Sequence, residues 1–364
     1  EPEEFEGTVE AFYEVPDPLP PGNPGDLIRV QELAPDGDDP GLRIMYHSTD
    51  ARGIDRAVTG VLYHPPGKPP EGGWPVVATA HGTTGIAPQC APSRVPHVPD
   101  TWDIEGVRVA TDYIGLGPVG ERHAYLSATA EGNAVIDSVV AAQQVEAAGA
   151  GDEWLAVGHS QGGHAAMVTN EMAPERLPDA ELLGTVAIAP GAQFTEVYGD
   201  QVQINIITAI VLAGAPDEHP DIDIADYLAP DAAAAAEQVT ADSCLGDIIA
   251  TMAPFAASDD FYANEPLEDP ETREWMESND PGQVVSPSPL LMISGDLDTT
   301  VMPARVHAAF DRQCENGQVV DLIDLPNGDH GNEPALARDQ VVDWLAARLA
   351  GEEAPNGCDG ADEG

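Results

Sequence analysis

Apolar and polar positions along the chain follow a pattern of short buried strands that alternate with helices. The predicted strands are 42–48, 57–64, 75–80, 107–112, 154–158, 185–189, 290–294 and 319–325. The predicted helices of this alternating part are 128–148, 162–172, 303–310 and 334–349. The first two strands indicate an antiparallel entry to a sheet. The alternation that follows predicts an α/β fold with a mostly parallel central sheet flanked by helices.

The alternation stops between residues 191 and 286, where helical stretches at 202–212 and 232–250 replace strands. A chain of 364 residues accommodates one large core with such an insertion. The predicted organisation is an extended arm with little periodic structure, rich in Pro, Gly and acidic residues (1–40), a catalytic core (41–190 and 287–350), an inserted helical domain (191–286) and an acidic, Gly-rich tail (351–364).

Acidic residues dominate the charge of the chain. It has 64 Asp and Glu against 14 Lys and Arg, a formal net charge of -50. Such a surface repels nucleic acid and anionic membranes, so neither is an expected partner. The acidic residues recur between apolar segments, which a disordered acidic protein would lack. We interpret the charge as adaptation to high salt, where screening weakens repulsion; an acidic protein of ordinary habitat is the alternative.

The four cysteines, Cys90, Cys244, Cys314 and Cys358, have no C-x-x-C spacing and no His at ligand distance, so we predict two disulfides and no metal. Buried free thiols are the alternative. No apolar run reaches the roughly 18 residues that span a bilayer, so we expect no integral membrane segment. The first residues do not resemble a signal peptide, and we expect that one has been removed from a secreted protein.

The segment Gly158-His159-Ser160-Gln161-Gly162 matches Gly-x-Ser-x-Gly, which is a weak signal by itself in a chain with 36 glycines. Its context is stronger, because an apolar strand precedes it and a helix follows. This is the strand, sharp turn and helix of a nucleophile elbow. Ser160 is therefore the candidate nucleophile, and a serine in an ordinary surface turn is the alternative.

A nucleophilic serine needs a histidine base that a carboxylate holds in one tautomer, and in this fold the chain order is Ser, acid, His. The strand 290–294 leads into a turn with Asp296 and Asp298. We choose Asp298, since it lies within the turn, and leave a turn or capping role to Asp296. His307 falls in a predicted helix, whereas His330 lies in a loop before the last helix and is the candidate base.

An oxyanion intermediate needs two preorganised backbone N–H donors. Gln161, which follows the nucleophile, is the first candidate. The second comes from the Gly-rich segment His81-Gly82-Thr83-Thr84-Gly85 after the strand 75–80, with Thr83 preferred over Thr84. For His81, His159 and His164, which flank these motifs, we expect packing and hydrogen-bonding roles.

A resemblance to a known family lies in the elbow, in the Gly-rich segment and in three further segments, Cys90-Ala91-Pro92-Ser93, Asp112 to Gly117 and Glu131 to Asp137. In these segments the sequence resembles the secretory lipase family of α/β-hydrolases. The resemblance covers most of residues 75–200 and resumes at Asp298 and His330. It implies that 191–286 is a lid and that the segment after residue 349 is a flap. It also implies pairing of Cys90 with Cys244 and of Cys314 with Cys358. The lid sequence is Ala-rich and Asp-rich rather than strongly apolar, which departs from the family.

The sequence thus predicts a secreted, salt-adapted, monomeric serine esterase or lipase that acts on carboxylic esters through Ser160, His330 and Asp298 without a cofactor. Lipid-type esters follow from the resemblance, and short-chain esters or polyesters follow if the lid leaves an open groove. A serine peptidase or amidase on the same fold, and a non-catalytic binding protein, are the alternatives.

Overall fold

The computed structural model describes residues 2–95, 102–196 and 200–358, and a ten-stranded sheet lies at its centre. The strands are β1 (Glu3–Glu4), β2 (Leu27–Asp36), β3 (Asp39–Thr49), β4 (Asp55–Tyr63), β5 (Trp74–Ala80), β6 (Val107–Thr111), β7 (Ala150–His159), β8 (Glu181–Ile188), β9 (Leu290–Gly295) and β10 (Val320–Leu325). Their spatial order is β1-β2-β3-β4-β6-β5-β7-β8-β9-β10. Antiparallel pairing joins β2 to β3, β3 to β4 and β4 to β6, and the other neighbours are parallel. The predicted mostly parallel α/β sheet is confirmed.

Helices cover both faces of this sheet. The α-helices of the described residues are α1 (Val9–Phe12), α2 (Ala128–Gln143), α3 (Gln161–Arg176), α4 (Gln201–Gly214), α5 (Ile224–Tyr227), α6 (Pro230–Asp242), α7 (Leu245–Ala256), α8 (Pro270–Ser278), α9 (Pro303–Asn316), α10 (Glu333–Leu336) and α11 (Arg338–Leu349). On β5, Val76 and Ala78 join the apolar cluster of α2, whereas Val77 joins the cluster of α11. Burial of both faces explains why the central strands are continuously apolar.

Helices α4 to α8 lie between β8 and β9 and pack around an apolar cluster of their own, which Ile86, Tyr125 and Leu126 also join. The helical character predicted here is confirmed, but the single stretch predicted at 232–250 is two helices. Helix α6 ends at Asp242, and Cys244 has the extended backbone of the N-cap of α7. The disulfide from Cys90 holds the chain at this break.

The prediction of little periodic structure throughout residues 1–40 was wrong. Strand β2 occupies Leu27–Asp36 and pairs with β3, and short elements precede it at Glu3–Glu4 and Val9–Phe12. The Pro and Gly residues on either side of β2 obscured a run rich in β-formers, Leu27-Ile28-Arg29-Val30, whose backbone polar groups are satisfied by antiparallel pairing with the next strand, β3. Residue 1 of this arm, residues 197–199 of the predicted insertion and residues 359–364 of the predicted tail lie outside the described residues.

Two disulfides are present. Cys90 pairs with Cys244 and joins the segment after β5 to the start of α7, and Cys314 pairs with Cys358 and joins α9 to the end of the described chain. These are the pairings that the resemblance implied. Among the described residues, no helix has the length and apolar character to cross a bilayer.

Candidate active site

Ser160 lies in a sharp turn between β7 and α3. Its backbone has φ 61° and ψ -118°, in the left-handed region that a residue with a Cβ adopts only under strain. The chain on either side is closely packed, because a Cβ on Gly158 would collide with the carbonyl oxygen of Gly162, and a Cβ on Gly162 with that of Ala80. Both glycines of the motif are therefore required by steric contact, as a nucleophile elbow demands.

Ser160, His330 and Asp298 form a continuous chain of hydrogen bonds. His330 Nε2 lies 2.9 Å from Ser160 Oγ, and His330 Nδ1 lies 2.7 Å from Asp298 Oδ2. A carboxylate only accepts hydrogen bonds, so Nδ1 carries the proton and the lone pair of Nε2 faces the serine hydroxyl. The other carboxylate oxygen of buried Asp298 accepts from the backbone N–H groups of Thr300 and Val301 at 2.7 and 2.9 Å. These bonds fix the carboxylate toward the imidazole.

The alternative acid and base lie elsewhere. Asp296 is exposed, and its Oδ1 accepts from the backbone N–H of Asn327 at 2.7 Å, which anchors the loop that carries His330. His307 pairs with exposed Asp324 on the surface at 2.7 Å. The structure therefore places Asp298 and His330 next to Ser160, and it places Asp296 in the turn, bonded to the loop that carries His330.

The Gly-rich segment after β5 lies against the elbow. A Cβ built on Gly82 would lie 3.7 Å from Ser160 Cβ, so this loop closes on the serine. Thr83 Oγ1 is 2.6 Å from the phenol oxygen of Tyr125, whereas the carbonyl of Thr84 accepts from the backbone N–H of Leu245 in α7. Gln161 is the first residue of α3, so its backbone N–H has no acceptor within the helix.

An apolar cavity of about 360 Å³ opens beside Ser160 and Gln161. This volume lies within the range of small-molecule pockets. Its apolar lining is formed by Tyr125, Leu126, Phe194, Ile204, Ile207, Val211, Tyr262, Leu267, Trp275, Met276 and Val301. Most of these residues come from the helical segment between β8 and β9, so that segment forms one wall and the core forms the other.

A buried polar network lies beneath Gln161. Glu131 Oε1 accepts from the side-chain amide of Gln161 at 2.7 Å and from the backbone N–H of Leu126 at 3.0 Å. Glu131 Oε2 lies 2.7 Å from Nδ1 of His164, whose Nε2 donates to the carbonyl of Asn279 at 2.8 Å. The network thus connects the core, the residue after the nucleophile and the segment before β9.

Electrostatics in this network favour an ion pair. Burial would raise the pKa of Glu131, but the charge of His164 and hydrogen bonds from His123 and His164 outweigh it and lower the pKa to about 2. Burial would lower the pKa of His164, but the charge and hydrogen bond of Glu131 raise it above its ordinary value. His164 therefore has the hydrogen-bonding role expected of it. In the sequence, Glu131 is marked only by the family resemblance and by its place as a carboxylate in the first turn of an apolar helix.

His81 also has the role predicted for the flanking histidines. Its Nδ1 lies 2.6 Å from the carbonyl of Gly82, and its ring packs on Tyr113. Burial lowers the pKa of His81, so the neutral imidazole supports the loop as a packed, hydrogen-bonded group.

Solved structures with the same architecture define the class of this protein. Candida antarctica lipase A superposes with a TM-score of 0.78 and 16% identity, over 95% of this chain and 87% of the lipase. A rice cell wall degrading esterase from Xanthomonas oryzae superposes with a TM-score of 0.72 and 18% identity, over 91% of this chain and 100% of the esterase. The chain has the α/β-hydrolase fold.

Sequence comparison then identifies the family. No curated protein sequence matches the chain. The family model for secretory lipases matches residues 104–357, well over half of the chain. The protein belongs to the secretory lipase family and is a carboxylic ester hydrolase.

Proposed function

We propose that the protein hydrolyses carboxylic esters by a Ser-His-Asp acyl-enzyme mechanism. The observation that carries this proposal is the hydrogen-bonded chain from Asp298 through His330 to Ser160, at the wall of an apolar cavity. His330 Nε2 takes the proton of Ser160 Oγ as that oxygen attacks the ester carbonyl carbon. Asp298 holds the imidazole in the required tautomer and stabilises the imidazolium that forms.

Collapse of the tetrahedral intermediate breaks the bond to the alcohol, and His330 donates its proton to the leaving oxygen. Water then attacks the acyl carbon while His330 takes a proton from it, and the carboxylic acid leaves with Ser160 regenerated. We assign the oxyanion to the backbone N–H groups of Gln161 and Thr83. Thr83 is preferred over Thr84 because Thr83 contacts Tyr125 of the cavity wall, whereas Thr84 bonds to α7.

The substrate that fits this site is an ester with an apolar acyl chain. The cavity beside Ser160 is lined mainly by aliphatic and aromatic side chains, and burial of apolar surface binds such a chain. We propose that residues 191–286 act as the lid, because α4 and α8 supply much of this lining, and that the segment after residue 349 is the flap. No feature of the cavity favours a polyester or a peptide over a single acyl chain.

We also propose that the protein is secreted and salt-adapted. Disulfides such as Cys90–Cys244 and Cys314–Cys358 persist in oxidising compartments outside the cytoplasm. A formal charge of -50 destabilises a compact chain through self-repulsion unless salt screens it.

One experiment addresses substrate and mechanism together. Hydrolysis of p-nitrophenyl esters of increasing acyl length is compared with hydrolysis of peptide p-nitroanilides, at low and molar NaCl, for the wild type and Ser160→Ala. The proposal expects ester turnover that rises with acyl length, that needs salt and that Ser160→Ala abolishes. Faster cleavage of anilides than of esters would contradict the substrate class, and the highest activity without salt would contradict the salt adaptation.

A further inference from the structure

Beside the elbow, three potential metal ligands from separate elements converge. His159 is the last residue of β7, His330 lies in the loop after β10, and Glu333 is the first residue of α10. One ligand atom from each lies within 4.8 Å of the other two. All four cysteines are in disulfides, so none of them is a ligand of this group.

Glu333 is the unusual member. Its side chain is 0% exposed, and within the described residues neither carboxylate oxygen has a hydrogen-bond partner. Burying a carboxylate without a partner is costly unless a cation or a proton compensates it. The group that faces it is His159, whose Nε2 lies 3.8 Å from Glu333 Oε2 and also has no hydrogen-bond partner among the described residues. A potential metal ligand on each of the two residues therefore faces the other without a hydrogen-bond partner among the described residues.

The geometry fits a small transition-metal ion. Two bonds of roughly 2.0–2.2 Å, as Zn²⁺ makes to imidazole nitrogen and carboxylate oxygen, together span the 3.8 Å between His159 and Glu333. The ring of His330 packs on that of His159 with centroids 4.7 Å apart, and one ring nitrogen of His330 lies within 4.8 Å of the ligand atoms of His159 and Glu333. Two His and one Glu form a known ligand set for zinc with an open fourth position.

Access and charge favour a cation here. The side chains of His159 and His330 are 26% and 24% exposed, so both imidazole rings border solvent, although His159 Nε2 itself is buried. The strongly acidic surface raises the local concentration of cations.

We propose that a divalent transition-metal ion, with Zn²⁺ as the probe, binds His159, His330 and Glu333 and reversibly inhibits the enzyme. The ion takes the lone pair of His330 Nε2, which is then unable to accept the proton of Ser160. The binding site stands on the geometry of the three side chains, and the inhibition rests on the proposed function of His330.

Binding is tested by isothermal titration of the full chain with Zn²⁺ in a non-chelating buffer at fixed salt, with Mg²⁺ as a probe of nonspecific binding to the acidic surface. We expect one Zn²⁺ site per chain that Mg²⁺ does not fill, and binding at least about tenfold weaker in both Glu333→Gln and His159→Gln. His307→Gln is the matched control, because the exposed His307–Asp324 pair offers a histidine and a carboxylate and belongs to no three-ligand group among the described residues.

Inhibition is measured as ester hydrolysis with and without Zn²⁺, normalised to the metal-free rate of each variant, and followed by EDTA. We expect inhibition of the wild type and His307→Gln that EDTA reverses, and at least about tenfold more Zn²⁺ for half-inhibition of the Glu333 and His159 variants. Wild type that binds no Zn²⁺ beyond the Mg²⁺ level, binding equally tight in all variants, or bound Zn²⁺ without inhibition would each overturn the proposal. Absence of ester hydrolysis in the metal-free wild type would instead overturn the proposed function.

Discussion

Glu131→Gln is the substitution with the most specific expected outcome. Glu131 accepts hydrogen bonds from the Leu126 backbone, the Gln161 amide and the His164 ring, and His123 Nε2 also lies 3.5 Å from its Oε1. Glutamine has the same shape but offers one acceptor oxygen and an NH₂ donor, so at least one partner meets a donor instead of an acceptor. His164 also loses its counter-charge in a fully buried site.

The size of the effect follows from this burial. Removing one partner of a buried ion pair costs about 3–5 kcal/mol, so we expect the free energy of unfolding to fall by that order. The Gln161 side chain loses a hydrogen bond that holds the first residue of α3, and the Gln161 N–H is a proposed oxyanion donor. Since loss of a whole donor costs roughly 10²–10³ in kcat, we expect misplacement to lower kcat by about tenfold or more, with a smaller change in KM.

The free energy of unfolding that Glu131→Gln loses depends on pH, because the pKa values of both Glu131 and His164 change on folding. The folded pKa of Glu131 is lowered to about 2, so its contribution is present above its unfolded pKa of about 4.3 and is lost as pH falls toward 2. The folded pKa of His164 is raised, so its contribution is present below about 6.5 and is lost as pH rises through the folded pKa. Glu131→Gln should therefore differ most from the wild type between about pH 4.5 and 6.5.

Urea unfolding at constant salt and steady-state ester kinetics measure the two effects. Glu171→Gln is the matched control, because Glu171 lies on α3, the helix that Gln161 begins, and accepts backbone N–H groups of Gly282, Gln283 and Val284, but it does not bond to Gln161. It should lose stability with little change in kcat. Wild-type stability and kcat in Glu131→Gln, or an equal fall in kcat in both variants, would contradict the role assigned to Glu131.

Three further outcomes are expected. Ser160→Gly relieves the left-handed strain at φ 61° and should raise the free energy of unfolding by about 1–2 kcal/mol while abolishing activity; an unchanged or lower value in urea unfolding would contradict the strain. Asp298→Asn should lower kcat by about 10⁴-fold, whereas Asp296→Asn should keep kcat near the wild-type value, and equal losses in ester assays would contradict the assignment of the acid. The thermal midpoint should rise between low and molar NaCl, and identical midpoints in calorimetry would contradict salt adaptation.

The central fold was predictable because its strands are buried on both faces and their apolar runs are punctuated by turns. The two failures have different causes. Strand β2 pairs with the next strand, β3, through a short turn at residues 37–38, and the Pro and Gly residues around β2 obscured this hairpin. The break before α7 lies where Cys244 bonds to Cys90, which is 154 residues away in the chain, so the residues next to the break do not encode it.

The site also contains residues that the sequence could indicate and residues that it could not. Ser160, Asp298 and His330 could be chosen because the fold constrains their chain order and each lies in a turn or loop after a strand. Glu131 and Glu333 carry no such positional rule. Both are carboxylates that become important through burial, and burial depends on how α2 and α10 pack against the elbow and the end of β9.

Covalent labelling of the folded protein by a fluorophosphonate, located by peptide mass spectrometry, tests whether Ser160 is the nucleophile. We expect one adduct on Ser160, loss of ester hydrolysis in proportion to labelling, and much slower labelling of Asp298→Asn. Absence of an adduct at Ser160 on the folded protein, or full activity after Ser160 has been modified, would contradict that role.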